Sequence, residues 1–294
     1  VIIGAGPAGI ALALDLDRKK IKCCLLEAGG LEFSETSQAF YKTSFTDHFP
    51  NNLEYSRLRM FGGTTGHWGG TCRTLDSYDF LNWPINKENL DPYLSKSLEY
   101  LNLTSDFKEQ KISEDLKIVE FRNSNVRFGE AYLSRIQKSK NITLILNAYV
   151  NNFTQEDNIL KKIKFNSENG YKHNINGKFF VLSAGAVENS RLLLYFRDLG
   201  KGIFDDNITI GNYWYEHPYT KMGECLLNKK SLEQYEGLYS IPYAFGSGTN
   251  SFSFNEKKFD ILPAIPTIFS FLLFLIAFLA ISTDLTINSF VSSP

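Results

Sequence analysis

Hydrophobic positions follow two rhythms along this chain. Val1–Ile3 and Ile21–Leu26 are short apolar runs bounded by glycine or charge, the pattern of buried strands. Between them Ile10, Ala13 and Leu14 recur at helical spacing, and the run closes on Arg18-Lys19-Lys20, cations that suit a helix C-terminus. Residues 31–52 are polar and aromatic without a period and read as loop with a short helix. Leu94, Leu98, Leu101 and Leu103 predict a helix, and Phe128-Gly129-Glu130-Ala131-Tyr132-Leu133 opens another. A strand is expected over 142–150. The runs 160–165 and 171–175 flank Asn169-Gly170, a hairpin signal. A further strand, 178–182, leads into a helix over 188–196 with Leu192, Leu193 and Phe196 apolar. The last pattern is different: 261–281 is uncharged and long enough to span a bilayer, which takes about twenty residues. Pro263 and Pro266 shorten its clean helix to a start near Thr267, leaving three readings: a membrane anchor, an aberrant end in place of a C-terminal domain, or a buried core helix.

The first of these passages carries chemistry. Gly4-Ala5-Gly6-Pro7-Ala8-Gly9 lies between a strand and a helix, and Glu27 ends the second strand about twenty residues on. Gly4 permits a sharp turn, Gly6 leaves bare backbone for a pyrophosphate, and Gly9 lets the helix pack closely. Free N–H groups and the helix dipole favour an anion at such an N-terminus without a basic side chain. Glu27 can accept hydrogen bonds from a ribose diol, which suits NAD and FAD equally. A second glycine cluster, Arg57-Leu58-Arg59-Met60-Phe61-Gly62-Gly63-Thr64-Thr65-Gly66-His67-Trp68-Gly69-Gly70, offers backbone N–H groups to a flat polar ligand. A second strand-to-glycine-to-helix passage, Ser183-Ala184-Gly185-Ala186, suits one sheet completed late in the chain around the same ligand.

Charge narrows the partners. Lys+Arg 31 against Asp+Glu 32 gives no reason to expect nucleic acid, so a small molecule is the expected ligand. Cys23, Cys24, Cys72 and Cys225 show neither metal spacing nor a disulfide ladder and read as reduced packing residues; no metal site is expected. The sequons at Asn102, Asn141, Asn152 and Asn207 do not establish secretion. With no initiator Met and three residues before Gly4, the chain reads as a piece of a longer protein.

Taken in order, the opening glycines with Glu27-Ala28-Gly29, the Gly62-Gly63-Thr64-Thr65 loop, Ser183-Ala184-Gly185-Ala186 and Gly211-Asn212-Tyr213-Trp214-Tyr215-Glu216-His217-Pro218 resemble the glucose–methanol–choline oxidoreductase family, flavoenzymes that oxidise alcohols. The resemblance implies FAD as cofactor and an α/β fold. It implies a Rossmann-like FAD-binding domain with a three-layer ββα sandwich and a β-hairpin layer, then the beginning of an α+β substrate domain. Expected boundaries are 1–204 for the FAD-binding domain, with an insertion at about 81–140. The start of the substrate domain follows at 205–259, then the apolar segment 260–283 and a tail, 284–294. Cofactor-binding positions by resemblance are Gly4, Gly6, Gly9, Glu27, Arg59, Gly62, Gly63, Thr64, Thr65, His67, Trp68, Val150, Ala184 and Gly185. Phe61 and Trp68-Gly69 depart from the usual pattern, and Thr65-Gly66-His67-Trp68 resembles pyranose oxidases, in which the His is bonded covalently to the flavin. For His67 two readings follow, that bond or a His hydrogen-bonded within its loop. The family's proton-abstracting His comes from a C-terminal segment that nothing here matches, and His217 is a weak substitute. The implied activity is oxidation of a CH–OH group in an alcohol or sugar; the alternative is a flavin-binding module without turnover. Location is open between cytoplasmic and membrane-associated through 261–281.

Overall fold

The structure, a computed structural model, describes residues 1–42, 53–81, 83–104, 107–111, 116–157, 159–199, 208–212 and 250–254. In chain order the elements are β1 (Ile2–Ile3), α1 (Pro7–Arg18), β2 (Cys23–Leu26), α2 (Glu35–Gln38), α3 (Leu53–Ser56), β3 (Thr71–Cys72), α4 (Lys87–Leu101), β4 (Glu109–Lys111), β5 (Leu116–Glu120) and β6 (Arg122–Asn123). After them come α5 (Phe128–Lys138), β7 (Ile142–Ile145), β8 (Ala148–Glu156), β9 (Ile159–Ser167), β10 (Lys172–Asn176), β11 (Val181–Leu182), α6 (Ala186–Asp198) and β12 (Asn250–Phe254).

β1, β2, β7 and β11 form a parallel sheet in the order β11-β1-β2-β7. Parallel strands are covered on both faces, which is why their sequences are apolar throughout rather than alternating. Ile3, Cys24 and Leu26 point to one face and pack with Ala148, Phe153, Ile163 and Phe165 of the antiparallel sheet β8-β9-β10 and with Leu192 and Phe196 of α6. Phe153 and Phe196 meet edge to face at 4.8 Å between centroids. Ile2 and Leu25, one residue out of phase, point to the opposite face, where α1 and α5 lie side by side. Helices, parallel sheet and meander make the three layers of a Rossmann-like α/β fold.

Several local expectations change in detail. The strand expected over 142–150 is two strands. Asn147, at φ 52°, turns the chain out of the parallel sheet at Ile145 and into the meander at Ala148. Asn tolerates that left-handed conformation, so the two residues Leu146 and Asn147 suffice for the turn. The strand expected over 178–182 is confined to Val181–Leu182. The hairpin turns at Gly170, φ 78°, between β9 and β10.

Among the described residues the chain falls into two units. One comprises 1–68 and 127–212, the fold above; the other comprises 69–126 with 250–254. In the second, β12 pairs with β5 and β5 with β4, all antiparallel, so 250–254 shares a sheet with 116–120. α4 starts on a capping box between Asn86 and Asn89 and buries Leu90, Leu98, Tyr100 and Leu101. The boundary expected at 204 and the segments 260–283 and 284–294 lie outside the described residues. Among those described, no helix is long and apolar enough to cross a membrane. Cys23, Cys24 and Cys72 are free thiols, and burial pushes the first two up to about 11 and Cys72 up to about 12.

Candidate functional site

The glycine turn connects β1 to α1 and is held from two directions. Gly4 takes φ +102°, and a Cβ there would sit 2.6 Å from the Ala184 Cα, so the segment leaving β11 lies against it. A Cβ on Gly9 would meet the Gly4 carbonyl oxygen at 2.0 Å and the Ser183 hydroxyl at 2.7 Å. α1 therefore packs on the turn itself through Gly9, as well as on the sheet. Gly6 differs: a Cβ there would have nothing nearer than the Ser183 carbonyl oxygen at 4.0 Å. Gly6 caps α1 without a side-chain hydrogen bond, Pro7 opens the helix, and no acid lies in the first turn. The helix end thus keeps both the room and the electrostatics that an anion needs.

Glu27 stands beside this turn, buried, with one carboxylate oxygen accepting from the Ala5 N–H at 2.9 Å and the other from the Gly29 N–H at 2.8 Å. Burial raises its pKa, opposed by those amides and by the Arg59 guanidinium. Each oxygen has accepted one amide, so lone pairs remain for a diol. Arg59 donates to the Ala28 carbonyl (3.1 Å) and the Ser37 hydroxyl (2.8 Å), and its Cζ lies 4.4 Å from the Phe40 ring centroid and 5.8 Å from that of Tyr149. Gln38 orders the approach to Arg59, donating to the Glu54 and Arg57 carbonyls and accepting from the Arg59 N–H. Tyr41 is pushed up to about 12 by burial and then by Glu188 and Glu27. β8 begins at the same place, the Ala148 N–H donating to the Glu27 carbonyl at 2.9 Å. Val150, two residues on, packs its side chain against the core beside a register shift between Val150 and Asn152, so only its backbone is available to a ligand.

The second glycine loop is a 3₁₀ turn, Gly63–Gly66, seated on the first. The Gly62 N–H donates to the Ala5 carbonyl at 2.8 Å, and a Cβ on Gly63 would be 3.1 Å from the Gly6 Cα. Thr65 is buried as a brace: its hydroxyl donates to the Gly62 carbonyl (2.7 Å) and accepts from the Phe128 N–H (3.2 Å), tying the loop to α5. The Thr64 hydroxyl accepts from the Leu58 N–H at 3.3 Å. His67 is surface-exposed in part and is hydrogen-bonded to the Ser56 carbonyl; partial burial, then Arg57 and Arg127, lower its pKa. Trp68 is half-buried at the end of this loop.

At the end of β11 the Ser183 hydroxyl is shared between the carbonyls of Ile3 (3.0 Å) and Gly4 (2.7 Å), locking the two strand ends together. The Ala184 N–H donates to the Asn189 side chain at 3.0 Å. Gly185, φ +89°, caps α6 with open space around the position of a Cβ. The structure thus gathers Gly4, Gly6, Gly9, Glu27, Gly62, Gly63, Ala184 and Gly185 around one turn, with Arg59 at the Glu27 end and Thr64, Thr65 and His67 along the second loop. His217 lies outside the described residues. Ser37, Gln38, Phe40, Tyr149, Ser183 and Asn189 were not singled out from sequence; of these only Ser183 stood in a quoted motif. Among the described residues no cluster of His, Cys, Asp or Glu could hold a metal ion.

No protein-family model matches the chain, and no curated protein matches it in sequence. Among solved structures it is similar to pyridoxine 4-oxidase from Mesorbium loti, at 16% identity over 66% of this chain and 50% of that one, TM-score 0.48. A formate oxidase is similar at 14% identity over 69% of this chain and 49% of that one, TM-score 0.45. A variant of the Aspergillus oryzae RIB40 formate oxidase stands at 13% identity over 68% and 48%, TM-score 0.45. The chain spans about half the length of these structures.

Proposed function

We propose that this chain carries the FAD-binding part of an oxidoreductase acting on the CH–OH group of a small alcohol or sugar. The observation that supports it most is the seat of the second glycine loop on the first, through Gly62 to Ala5 and Gly63 against Gly6. Such a joint would let Glu27, the space over Gly6 and the Thr64–Thr65 loop act as one continuous wall for a cofactor. The space over Gly6 and the first-turn amides of α1 would receive the diphosphate, and the Glu27 carboxylate the ribose diol. Ala184 and Gly185 would supply backbone on the opposite side, and the loop backbone through Thr65 would lie beside the flavin ring. Bound there, FAD would supply the hydride acceptor. The chain's own task is to hold the carbinol carbon in place and exclude water, since orientation is worth several powers of ten in rate. For the hydroxyl proton the sequence offers His217 as a weak candidate acceptor. The test is the absorbance spectrum of purified protein, before and after anaerobic addition of alcohols and sugars. A flavin spectrum that bleaches supports the reading, and protein that binds no FAD refutes it.

A second reading is binding without sustained turnover, since among the four histidines only His217 offers itself as a proton acceptor, and only weakly. Positioned acid–base catalysis is typically worth about two to four powers of ten. Flavin that stays oxidised for minutes under every donor would support this second reading, and bleaching at about one per second or faster would exclude it. Association through 261–281 belongs to the same proposal. Lys257 and Lys258 before that segment would keep the flavin domain on the cytoplasmic side, and carbonate-washed membranes free of protein would refute insertion.

A further inference from the structure

The short helix α2 holds Arg59 at three points through its last two residues. The Ser37 hydroxyl accepts from the Arg59 guanidinium at 2.8 Å and donates to the Arg59 carbonyl at 3.0 Å. The Gln38 side-chain oxygen accepts from the Arg59 N–H at 3.1 Å. Gln38 is buried, and its amide nitrogen donates to the Glu54 carbonyl at 2.7 Å and to the Arg57 carbonyl. Both donors and the oxygen of one buried amide are thus engaged with a single stretch, 54–59. Such a side chain fixes what it binds, because a buried polar group left unpaired carries its full desolvation cost.

Arg59 in turn bears on the three residues after Glu27. Its guanidinium donates to the Ala28 carbonyl at 3.1 Å. A Cβ on Gly29 would stand 2.1 Å from the Arg59 carbonyl oxygen and 2.8 Å from the Met60 Cα, so the backbone of 59–60 lies directly on Gly29. The Phe61 N–H donates to the Gly30 carbonyl at 2.9 Å. Gly29 is the residue whose N–H holds one oxygen of the Glu27 carboxylate, at 2.8 Å. Arg59 also supplies the cation that favours the ionised carboxylate. Tyr41, Tyr149 and Glu188 face the same guanidinium, and Tyr41 faces Glu27 as well.

We propose that Ser37 and Gln38 are positioning residues for the ribose end of the site: they fix Arg59, and through Arg59 they hold the Glu27 carboxylate ready to accept a cofactor's diol. Only the diol rests on the function proposed above; the chain of contacts from α2 to Glu27 is independent of it. With either residue truncated, Arg59 is free to withdraw from Ala28 and Gly29. Glu27 then loses the backbone that backs its Gly29 hydrogen bond and its neighbouring cation, and a buried carboxyl without a cation takes up a proton more readily. A protonated carboxyl gives up acceptor capacity that the diol needs.

Two readouts on the full chain test this. ADP and 2′,3′-dideoxy-ADP are competed against FAD in the parent, Gln38→Met, Ser37→Ala and Ser37→Thr. Hydrogen bonds to a charged acceptor should give the parent a preference for ADP of about tenfold or more. That preference should fall to about threefold or less in Gln38→Met and Ser37→Ala, and persist in Ser37→Thr, which keeps the hydroxyl. The second readout needs no ligand: the Glu27 carboxyl is titrated by NMR of glutamate-labelled chain, its signal assigned with Glu27→Gln. Its midpoint should rise by about half a unit or more in Gln38→Met and Ser37→Ala and stay in place in Ser37→Thr. If Gln38→Met does not fold, the two Ser37 variants decide alone. A midpoint unmoved in Ser37→Ala overturns the proposal, even where Tm falls, because a merely structural role lowers Tm without moving Glu27. So does a parent preference for ADP that both truncations retain. A parent that treats the two nucleotides alike refutes the ribose reading of Glu27 instead, and the titration then decides the positioning role by itself.

Discussion

Gly6 and Gly9 lie three residues apart in one turn, yet the structure assigns them opposite vulnerabilities. In Gly9→Ala the new methyl would stand 2.0 Å from the Gly4 carbonyl oxygen and 2.7 Å from the Ser183 hydroxyl. The nearer contact is backbone and is itself pinned by the Gly4 N–H bond to the Leu26 carbonyl at 2.8 Å, so it cannot swing aside. Forcing an extra carbon into a packed site typically costs about 1–3 kcal/mol, and this overlap belongs at the upper end. Alanine's better helix propensity offsets about 1 kcal/mol, leaving a net loss of about 2 kcal/mol. At roughly 2–4 °C per kcal/mol for a domain of this size, Tm should fall by about 4–8 °C. In Gly6→Ala the methyl points into open space, at φ −76° and ψ −174°, which alanine adopts freely. Only the poorer N-cap is felt, under about 1 kcal/mol. The same methyl, however, enters the space assigned to the diphosphate; an overlap costing about 2 kcal/mol would weaken FAD about thirtyfold. Thermal melting of the apo-protein and fluorescence titration with FAD read the two effects apart. Equal Tm values for Gly9→Ala and parent, or FAD bound by Gly6→Ala as tightly as by the parent, would refute this account of the turn.

Three further outcomes are expected. Ser183→Ala removes the hydroxyl shared by the Ile3 and Gly4 carbonyls and should cost about 1–2 kcal/mol, seen as a lower urea midpoint at unchanged m-value; an unchanged midpoint would mean that the strand ends hold without it. Hydrogen bonds from Ser139 and Asn141, helped by Arg135, hold the Asp17 carboxyl below its ordinary range. A lowered folded-state pKa gives stability that is present above the unfolded value and is lost as pH falls through the folded one. Asp17→Asn should therefore flatten part of the acid limb of the stability curve, and a limb as steep as the parent's would remove Asp17 from it. If the hydrogen bond to the Ser56 carbonyl is what holds the His67 ring, acid precipitation of the FAD-loaded protein should leave the flavin in the supernatant; yellow protein in the pellet would establish a covalent bond instead.

Periodicity and glycine spacing were enough to place α1, α5, α6 and the β9–β10 hairpin, because each rests on local rules. Apolar residues recur at helical spacing in Ile10, Ala13 and Leu14, and Asn169-Gly170 demands a tight turn whatever surrounds it. The Gly4-Gly6-Gly9 spacing and Glu27 also stood out in the sequence, and the structure brings them together, the Ala5 N–H of the turn donating to the Glu27 carboxylate. The remaining features depend on partners far away in the chain. The break at Asn147 exists because two different sheets need the strands on either side of it. Ser183 looks like any serine before a glycine until β11 pairs with β1 and brings its hydroxyl to the carbonyls of Ile3 and Gly4, some 180 residues earlier. Gln38, Phe40 and Tyr149 carry no motif, and only the folding of two loops around Arg59 gives them a role. Local propensity and spacing are written in consecutive residues, whereas burial and hydrogen-bond satisfaction are set by what the folded chain brings alongside.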